Sequence, residues 1–529
     1  MCQWGDKAQI SSYMRGENGR PAGCHPLLSI ECARMLTTHP FDDDKLREEC
    51  GIFGVYGVER ASAMVALGLH ALQHRGQEAA GITSWDGRDF HSQRAMGHVA
   101  GNFDNEEVIR QLAGRVACGH VRYSTTGETA LRNVQPLYAE LSSGGFAIAH
   151  NGNISNAMHL RKRLVRDGAI FQSTSDTEVI IHLVAKSRYR TLLDRFIDAL
   201  KQIEGAYSLI CLTPDALIAC RDPLGIRPLV MGKLGEAVIF ASETVAFDVV
   251  GADYVRDVEP GELIVVTQGG EIRSHRPFGD QTRPRPCIFE HVYFSRPDSI
   301  VDGNSVYSVR KQIGAQLALE SPVDADLVIP VPDSGVPAAI GYAQQSGIPF
   351  ELGIIRSHYV GRTFIQPGDK VRHLGVKLKH NANRALIAGQ RVVLIDDSIV
   401  RGTTSLKIVQ MMRDAGAREV HMRIASPPTR HSCFYGVDTP ERGKLLAHKM
   451  DVAQMCAFIH ADSLAFISID GLYKAVGETH RDPQNPRYCD ACFTGDYPTV
   501  LTDVDELSQV NQLELLSERV LEPGIGPGE

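Results

Sequence analysis

The sequence predicts two successive domains, an α+β domain followed by an α/β domain with a parallel sheet. In the first domain, short β-type runs such as 51–56, 146–150 and 206–212 are separated by turns containing Gly and Asn. After residue 300, continuous apolar strands alternate with helices, which is typical of a parallel sheet covered on both faces. At 529 residues the chain is long enough for each domain to bury its own core.

The composition disfavours several other classes of protein. Hydrophobic residues make up 43% of the chain and charged residues 22%, so neither bulk disorder nor a membrane bundle is expected. The net charge of −8 gives no general electrostatic reason to bind nucleic acid or an anionic membrane. The twelve cysteines are scattered and no secretory leader precedes them. We therefore expect reduced thiols and a cytoplasmic location.

The first half of the chain divides into a leader and the α+β domain. Residues 1–49 lack apolar periodicity, so we interpret them as a leader or propeptide without a core of its own. The α+β domain is assigned to residues 50–280, because a joint rich in Pro and Arg follows its last strand. Its helical patterns lie at 61–73, 154–167 and 176–203.

The second half contains the α/β domain and a tail. The α/β domain is assigned to residues 281–500, where strand 326–331 leads into helix 336–346 and strand 391–395 leads into helix 403–415. Residues 501–529 are strongly acidic and end in Gly and Pro, so we expect a solvated helix followed by a frayed tail.

The most specific motif spans residues 392–405. A buried strand ends in the adjacent carboxylates Asp396 and Asp397, and a Gly-Thr-Thr-Ser loop then opens a helix. Loop amides and a helix N-terminus can bind a phosphate, while the carboxylates can hold ribose hydroxyls directly or through Mg²⁺. An Asx turn followed by a helix cap would explain the paired Asp residues, but it would not explain the whole string.

This string resembles the phosphoribosyl-pyrophosphate binding signature of type I phosphoribosyltransferases. The resemblance implies binding of that substrate by Asp396, Asp397, Ser398, Arg401, Gly402, Thr403, Thr404 and Ser405. Residues 356–384 contain seven Lys or Arg against one Asp. They resemble the flexible loop of the glutamine phosphoribosylpyrophosphate amidotransferase family, and Arg362 and Lys379 would then contribute to the same substrate site. A plain charged surface loop is the alternative interpretation of this segment.

The start of the α+β domain supports the same family independently. Residues 50–54 resemble the beginning of glutamine amidotransferases that use an N-terminal cysteine. Removal of the leader after Glu49 would give Cys50 a free α-amine with a pKa of ~7.7–8.0, which can act as a base beside the thiol. A buried and inert thiol is the alternative for any single cysteine.

Further segments follow in the order and near the spacing of that family, at 74–77, 119–125, 150–153 and 175–178. By resemblance, Arg75 and Arg122 bind glutamine, Arg122 through the α-carboxylate, and Asp176 binds the α-amino group. The Asn151 side chain and the Gly152 amide would form the oxyanion hole. Without the resemblance, Asn-Gly is only a turn signal.

Four cysteines form a candidate metal site. Cys489 and Cys492 form a C-x-x-C pair, which is weak evidence by itself. With Cys287 and Cys433 they match the ligand positions of the iron–sulfur subgroup of this family. From residue types alone, four thiolates could equally hold zinc. The resemblance favours one [4Fe–4S] cluster per subunit, partly because that subgroup also carries a leader.

The resemblance also implies an αββα N-terminal-nucleophile domain, a type I phosphoribosyltransferase domain and a reaction. Glutamine would supply ammonia to phosphoribosyl pyrophosphate, giving 5-phosphoribosylamine, glutamate and pyrophosphate. One Mg²⁺ per subunit would be held by Ser334, Asp396 and Asp397. The expected assembly is a homotetramer inhibited by purine nucleotides, with no nucleic acid or membrane partner.

Two alternatives have distinguishable features. A phosphoribosyl-pyrophosphate sensor or repressor would use the second domain for ligand binding only. Such a regulator would need a DNA-binding surface, and the acidic composition of this chain does not indicate one. An amidotransferase that aminates a hexose phosphate would not need Asp396, Asp397 and the loop after them.

Overall fold

The computed structural model describes residues 47–48, 50–123, 130–279, 283–356 and 380–504. Arg362 and Lys379 lie outside these ranges, as do most of the predicted leader and most of the predicted tail. Within the described ranges, no helix is both long and apolar enough to cross a membrane.

The first domain consists of strands in two sheets and helices on their outer faces. Its strands, with one that precedes it, are β1 (Arg47–Glu48), β2 (Gly51–Tyr56), β3 (Ala79–Trp85), β4 (Phe90–Met96), β5 (Val116–Arg122), β6 (Leu137–Leu141), β7 (Gly144–Ile154), β8 (Gly205–Leu212), β9 (Ala216–Arg221), β10 (Val230–Leu234), β11 (Ala237–Ala241), β12 (Asp253–Asp257), β13 (Leu263–Thr267) and β14 (Ile272–His275). Its helices are α1 (Ala61–Ala71), α2 (Glu106–Gln111), α3 (Ala157–Arg166), α4 (Thr177–Lys186), α5 (Leu192–Leu200) and α6 (Val245–Val250).

Both sheets of this domain are antiparallel and pack face to face. One has the order β12-β10-β11-β2-β5-β3-β4 and the other β14-β13-β9-β8-β7-β6. Ile52 and Cys118 of the first sheet share a buried cluster with Ala149 and Ile210 of the second. Helices α1 and α6 cover the outer face of the first sheet, and α3, α4 and α5 cover the second. This is the αββα sandwich that the family resemblance implies, and it confirms the α+β class predicted from the sequence pattern.

The second domain is built on a parallel sheet. Its strands are β15 (Ile300–Val301), β16 (Asn304–Ser305), β17 (Leu327–Pro330), β18 (Ile354–Arg356), β19 (His380–Ala382), β20 (Arg391–Asp396), β21 (Glu419–Ile424), β22 (Val437–Asp438) and β23 (Ser463–Phe466). Its helices are α7 (Val306–Glu320), α8 (Val336–Ser346), α9 (Arg384–Ile387), α10 (Thr403–Asp414), α11 (Leu446–Lys449), α12 (Val452–Ile459), α13 (Ile469–Ala475) and α14 (Ala491–Thr494).

The parallel sheet has the order β17-β20-β21-β23 and is buried on both faces. In β20, Val393 and Ile395 pack towards α7 and α8, whereas Val392 and Leu394 pack towards α10 and α12. This alternation explains why β20 is apolar at consecutive positions. The predicted α/β class of the second domain is confirmed.

One local prediction needs correction. The helical pattern at 176–203 is two helices, because the Thr191 side chain accepts a hydrogen bond from the Asp194 amide at 3.1 Å and starts α5. The described beginning of the predicted acidic tail contacts the first domain. Both carboxylate oxygens of Asp503 accept hydrogen bonds from amides of Met158 and His159 at the start of α3, each at 2.8 Å.

Candidate active site

Cys50 immediately precedes β2 and is 7% exposed. Its backbone nitrogen donates a hydrogen bond to the Arg75 carbonyl at 3.2 Å, and its Sγ lies 3.8 Å from the Tyr123 carbonyl oxygen. The register Gly51↔Val121 between β2 and β5 places Arg122 beside Cys50 at the same end of the sheet. A nucleophile and a cationic side chain therefore meet at one strand end.

The polar side chains around Cys50 are held by backbone contacts. Arg122 is 5% exposed, and its Nη1 donates to the Asn133 carbonyl at 3.1 Å. Asp176 caps α4, where its Oδ1 accepts from the Thr177 amide at 2.9 Å. Its Oδ2 accepts from the Ile154 amide at 3.0 Å, which ties the carboxylate to the end of β7.

Asn151 and Gly152 lie in β7, the strand that carries the proposed oxyanion hole. The Asn151 Nδ2 lies 3.4 Å from the Ser242 Oγ, and Ser242 in turn accepts from the Ile52 amide at 3.0 Å. Ser242 therefore links the two sheets just beyond Cys50. Gly152 has φ +141°, and a Cβ there would lie 2.1 Å from the Ala206 carbonyl oxygen, so only glycine fits.

Arg75, which is predicted to bind glutamine, has its side chain engaged inside the protein. Its guanidinium is fully buried, contacts Glu243 through Nε, and donates from Nη2 to Glu290 at 2.8 Å and to Ser295 at 3.2 Å. The carboxylates of Glu243 and Glu290 therefore pair with the Arg75 guanidinium in place of glutamine. Arg75 reaches the site through its carbonyl instead, as the acceptor for the Cys50 nitrogen.

A buried network of charged groups joins the two domains behind this site. Glu290 of the second domain accepts from Arg75, and it also pairs with Arg227 of the first domain at 2.8 Å. Burial would raise the pKa of Glu243, but Arg75 and His74 hold that pKa well below its usual value. Burial lowers the pKa of Arg310 to about 10, with Asp397 opposing the shift, so the network approaches the second site.

That second site lies at the carboxyl end of β20. Asp396 and Asp397 are each 2% exposed, and the Asp397 amide donates to Asp396 Oδ1 at 3.0 Å. Ser398 Oγ donates to Asp397 Oδ1 at 2.6 Å. Gly402 has φ +80° and immediately precedes α10, so the loop reaches a helix N-terminus by a conformation that favours glycine.

The predicted phosphate loop continues into α10. Thr404 and Ser405 are buried in its first turn, whereas Thr403 is exposed and Arg401 is half-buried. Hydroxyl groups and helix amides thus lie together next to Asp396 and Asp397, which is an arrangement suited to a sugar phosphate.

Side-chain oxygen atoms that could bind a metal ion come from two segments and lie together at Asp397. The Ser334 hydroxyl, just before α8, donates a hydrogen bond to Asp397 Oδ2, while Asp396 lies one residue away in β20. Hard oxygen donors of this kind fit Mg²⁺.

The four predicted cluster cysteines line one cavity. Cys287, Cys433, Cys489 and Cys492 surround it together with Ile226 and Arg227 of the first domain. The centre of a water molecule could occupy a volume of about 20 Å³ in this cavity, and one water needs ~10–15 Å³ by the same measure. The backbones at Cys287 and Cys489 pair with each other as in a parallel sheet, so two segments far apart in the sequence meet at this cavity. The donor set fits a thiolate-ligated group.

Several residues at these sites were missed from the sequence. Ser242, Glu243 and Glu290 all carry buried contacts between elements, but none belongs to a periodic pattern. The available signal was the string Ser242-Glu243-Thr244 directly after the apolar strand β11, where polar residues end a buried strand.

Comparison with known proteins gives two domain families. A glutamine amidotransferase domain family matches residues 120–249, and a phosphoribosyl transferase domain family matches residues 299–431.

Full-length relatives extend this similarity over most of the chain. An amidophosphoribosyltransferase of Rhizobium etli is 59% identical over 485 residues, covering 91% of this chain and 98% of that protein. Chloroplastic amidophosphoribosyltransferase 1 of Arabidopsis thaliana is 52% identical and covers 88% of this chain and 81% of that protein. The solved glutamine phosphoribosylpyrophosphate amidotransferase of B. subtilis, complexed with ADP and GMP, superposes with a TM-score of 0.81. It is 47% identical and covers 85% of this chain and 98% of that structure.

Proposed function

The chain belongs to the amidophosphoribosyltransferase family, and we propose from this premise how its residues perform the first step of purine biosynthesis. The enzyme is a pentosyltransferase that takes nitrogen from glutamine and transfers it to phosphoribosyl pyrophosphate. The observation that carries the assignment is the presence of two separate polar sites, one around Cys50 and one around Asp396 and Asp397, in domains of the matching families.

The first half-reaction takes place at Cys50. Its sulfur bonds to the carboxamide carbon of glutamine, and the carbonyl electron pair moves to the oxygen, which the Asn151 side chain and the Gly152 amide stabilise. The α-amine of Cys50 takes the thiol proton and passes it to the leaving nitrogen, so collapse expels ammonia and leaves a thioester, which water hydrolyses to glutamate. Arg122 and Asp176 orient the substrate through its α-carboxylate and α-amino group. The Arg75 carbonyl positions the nitrogen of Cys50 as the base.

The second half-reaction takes place at the end of β20. Ammonia bonds to C1 of the ribose as the bond to pyrophosphate breaks, giving 5-phosphoribosylamine. Asp396 and Asp397 orient the ribose, and the loop of Ser398, Arg401, Gly402, Thr403, Thr404 and Ser405 binds the phosphate. Ser334, Asp396 and Asp397 would hold one Mg²⁺, which supplies positive charge for the leaving group. Arg362 and Lys379 complete the proposed site from outside the described residues.

The division of labour is tested with Cys50→Ala. We expect this variant to lose glutamine-dependent synthesis and to keep synthesis from added ammonia, because the transferase site lies in the other domain. Cys220→Ala, which removes a buried thiol from β9, should keep both activities. Loss of both activities in folded Cys50→Ala would show that the sites are not divided in this way.

Cys287, Cys433, Cys489 and Cys492 would hold one [4Fe–4S] cluster per subunit. Their shared cavity supports this proposal. The cluster would tie α14 and the segment at Cys433 to the domain boundary at Cys287.

Maturation and the cluster can be tested by one preparation. We expect anaerobically purified, active protein to have the intact mass of a chain that begins at Cys50, and to show stoichiometric iron, sulfide and a broad visible absorption. An active protein that retains residues 1–49 would contradict removal of the leader. Stoichiometric zinc in place of iron would contradict the cluster.

The remaining proposals concern assembly, regulation and location. The B. subtilis structure contains ADP and GMP. By analogy, purine nucleotides bind this enzyme, and we propose that they inhibit it. We further propose that the assembly is a homotetramer in the cytoplasm. Sedimentation with and without GMP, together with activity assays, tests the first two proposals.

A further inference from the structure

A short segment of the second domain reaches the oxyanion-hole strand of the first domain. Residues 433–438, here called the 433–438 segment, begin at the four-cysteine cavity and end in β22, which pairs with β1. Between these two ends, the Phe434 carbonyl accepts a hydrogen bond from Asn153 Nδ2 at 2.9 Å. Asn153 directly follows Gly152, so this bond crosses the domain boundary beside the proposed oxyanion donor.

A second contact lies two residues further along the segment. Gly436 has φ +104°, and a Cβ there would lie 3.0 Å from the Cα and 3.2 Å from the carbonyl carbon of Gly152. The backbones of Gly436 and Gly152 therefore touch without intervening side chains. On its other side Gly152 faces β8, where it is paired with Tyr207 and approaches the Ala206 carbonyl. The Gly152 peptide is thus confined from both domains.

We propose that Asn153 is a positioning residue for glutamine hydrolysis. By holding the Phe434 carbonyl it keeps Gly436 against Gly152, and this contact fixes the peptide whose amide stabilises the oxyanion. The inference rests on the proposed glutaminase site at Cys50 and extends it to the other domain. It also gives the 433–438 segment a role beyond supplying a cysteine to the cavity.

The proposal makes a kinetic distinction. Glutamine is bound in the ground state by Arg122 and Asp176, which are held by hydrogen bonds to Asn133, Ile154 and Thr177 of the first domain. The oxyanion exists only after the sulfur has bonded to the carboxamide carbon. A displaced Gly152 amide should therefore lower kcat with little change in KM.

The test is Asn153→Asp, which keeps the shape of the side chain but replaces the donor with a carboxylate that repels the Phe434 carbonyl. We expect kcat for glutamine hydrolysis to fall about tenfold, below the ~100- to 1,000-fold loss known for deletion of an oxyanion donor. KM for glutamine should change less than twofold. Tyr435→Phe is the matched control, because it removes the 2.9 Å contact with Thr499 from the same segment without altering Gly436.

A binding measurement separates positioning from general damage. The γ-aldehyde analogue of glutamine adds to the Cys50 thiolate and forms a hemithioacetal whose oxygen occupies the oxyanion hole. Its affinity should fall by the same factor as kcat in Asn153→Asp, while the affinity for glutamate should not. An unchanged kcat, equal changes in KM and kcat, or an unchanged aldehyde affinity would overturn the proposal.

Gly436→Ala is the second variant, and it decides the matter if Asn153→Asp does not fold. It should reproduce the selective loss of kcat and aldehyde affinity, whereas Gly443→Ala, at a position with open space around it, should not. Normal kinetics in Gly436→Ala would also overturn the proposal. Failure of the wild-type protein to bind the aldehyde at Cys50 would instead disprove the proposed glutaminase site.

Discussion

At the scale of single residues, the buried carboxylate of Glu243 shows how charge is tolerated at the domain boundary. It contacts Arg75 and His74 and accepts a hydrogen bond from the Ser299 hydroxyl at 2.6 Å and from the Arg296 amide at 2.9 Å. Every partner is a donor, so the ionised form is satisfied despite complete burial. Removal of the charge would leave Arg75 buried with one carboxylate fewer.

We predict that Glu243→Gln destabilises the protein by about 3–5 kcal/mol at pH 7, the cost of breaking a buried ion pair. The pKa of Glu243 lies below its value in the unfolded chain, so its contribution is complete above ~4.3 and is lost as the pH falls further. The difference between variant and wild type should therefore shrink below about pH 4.3. Urea unfolding over a pH series measures both effects.

The control for this prediction is Glu271→Gln, which changes an exposed carboxylate paired with Arg273. Its unfolding midpoint at pH 7 should equal that of the wild type, because exposed pairs contribute little. A Glu243→Gln midpoint equal to that of the control would show that the buried network does not stabilise the fold.

Residue types at the two sites could be predicted, but side-chain partners could not. Asp396 and Asp397 follow a continuous apolar strand, and strand ends are where α/β sheets bind ligands, so their position followed from the pattern. Arg75 stands in an equally recognisable motif, yet its side chain turns to Glu243 and Glu290. The reason is physical: Glu290 lies more than 200 residues away in the chain, and no local pattern reports such a partner.

At the scale of elements, the loop before α10 depends on a glycine for two reasons. Gly402 has φ +80°, and a Cβ at this position would lie 2.6 Å from Leu446 and 3.1 Å from Phe458. Gly389 has the similar φ of +78° but nothing within 4 Å of the added Cβ. Comparison of the two positions separates backbone strain from steric overlap.

We predict that Gly402→Ala costs more stability than Gly389→Ala. Both should lose about 1–2 kcal/mol from the left-handed backbone, and Gly402→Ala should lose about 1–3 kcal/mol more from overlap. Only Gly402→Ala should raise KM for phosphoribosyl pyrophosphate in the ammonia-dependent reaction, because the loop amides move. Equal stability and equal KM in the two variants would refute the steric argument.

Element types were predictable where periodicity is strong. The strands at β2, β8 and β20 and the helices α8 and α10 agree with the patterns in the sequence. The break between α4 and α5 was not predicted, although the residues between the helices, 187–191, are mostly polar and Thr191 caps the second helix. The sequence therefore contained a signal for this break, in the polar stretch and in the Thr that begins α5.

At the scale of the whole molecule, the domains share a core as well as a charged network. Ala206 and Ile226 of the first domain belong to the same buried cluster as Phe289 and Phe493 of the second. Sequence patterns could not predict this packing between the domains. Each of these residues lies in an apolar stretch that would look the same if its domain were isolated. The order of the two domains was predictable, whereas the way they dock was not.

The last prediction is that glutaminase activity stays low until phosphoribosyl pyrophosphate binds. Ammonia released without an acceptor is lost to solvent, so hydrolysis is useful only when the second site is occupied. A chain of contacts leads from the first site towards the second. The Cys50 nitrogen donates a hydrogen bond to the Arg75 carbonyl, Arg75 Nη2 donates to Glu290 and to the Ser295 hydroxyl, and Arg310 donates to the Ser295 carbonyl at 2.7 Å. The negative charge of Asp397 opposes the lowering of the Arg310 pKa.

We expect the basic segment 356–384 to act as the trigger, because its sequence contains seven Lys or Arg against one Asp and can gain charge-assisted hydrogen bonds when pyrophosphate arrives. Arg362→Ala and Lys379→Ala should therefore lower the stimulation of glutamine hydrolysis, although neither residue is expected to contact glutamine. Arg418→Ala, at an exposed site in the same domain, should leave the stimulation intact. Glutamate release is measured with and without phosphoribosyl pyrophosphate in each protein. Equal rates in the wild type under both conditions would mean that the sites act independently, and the buried network would then serve stability alone.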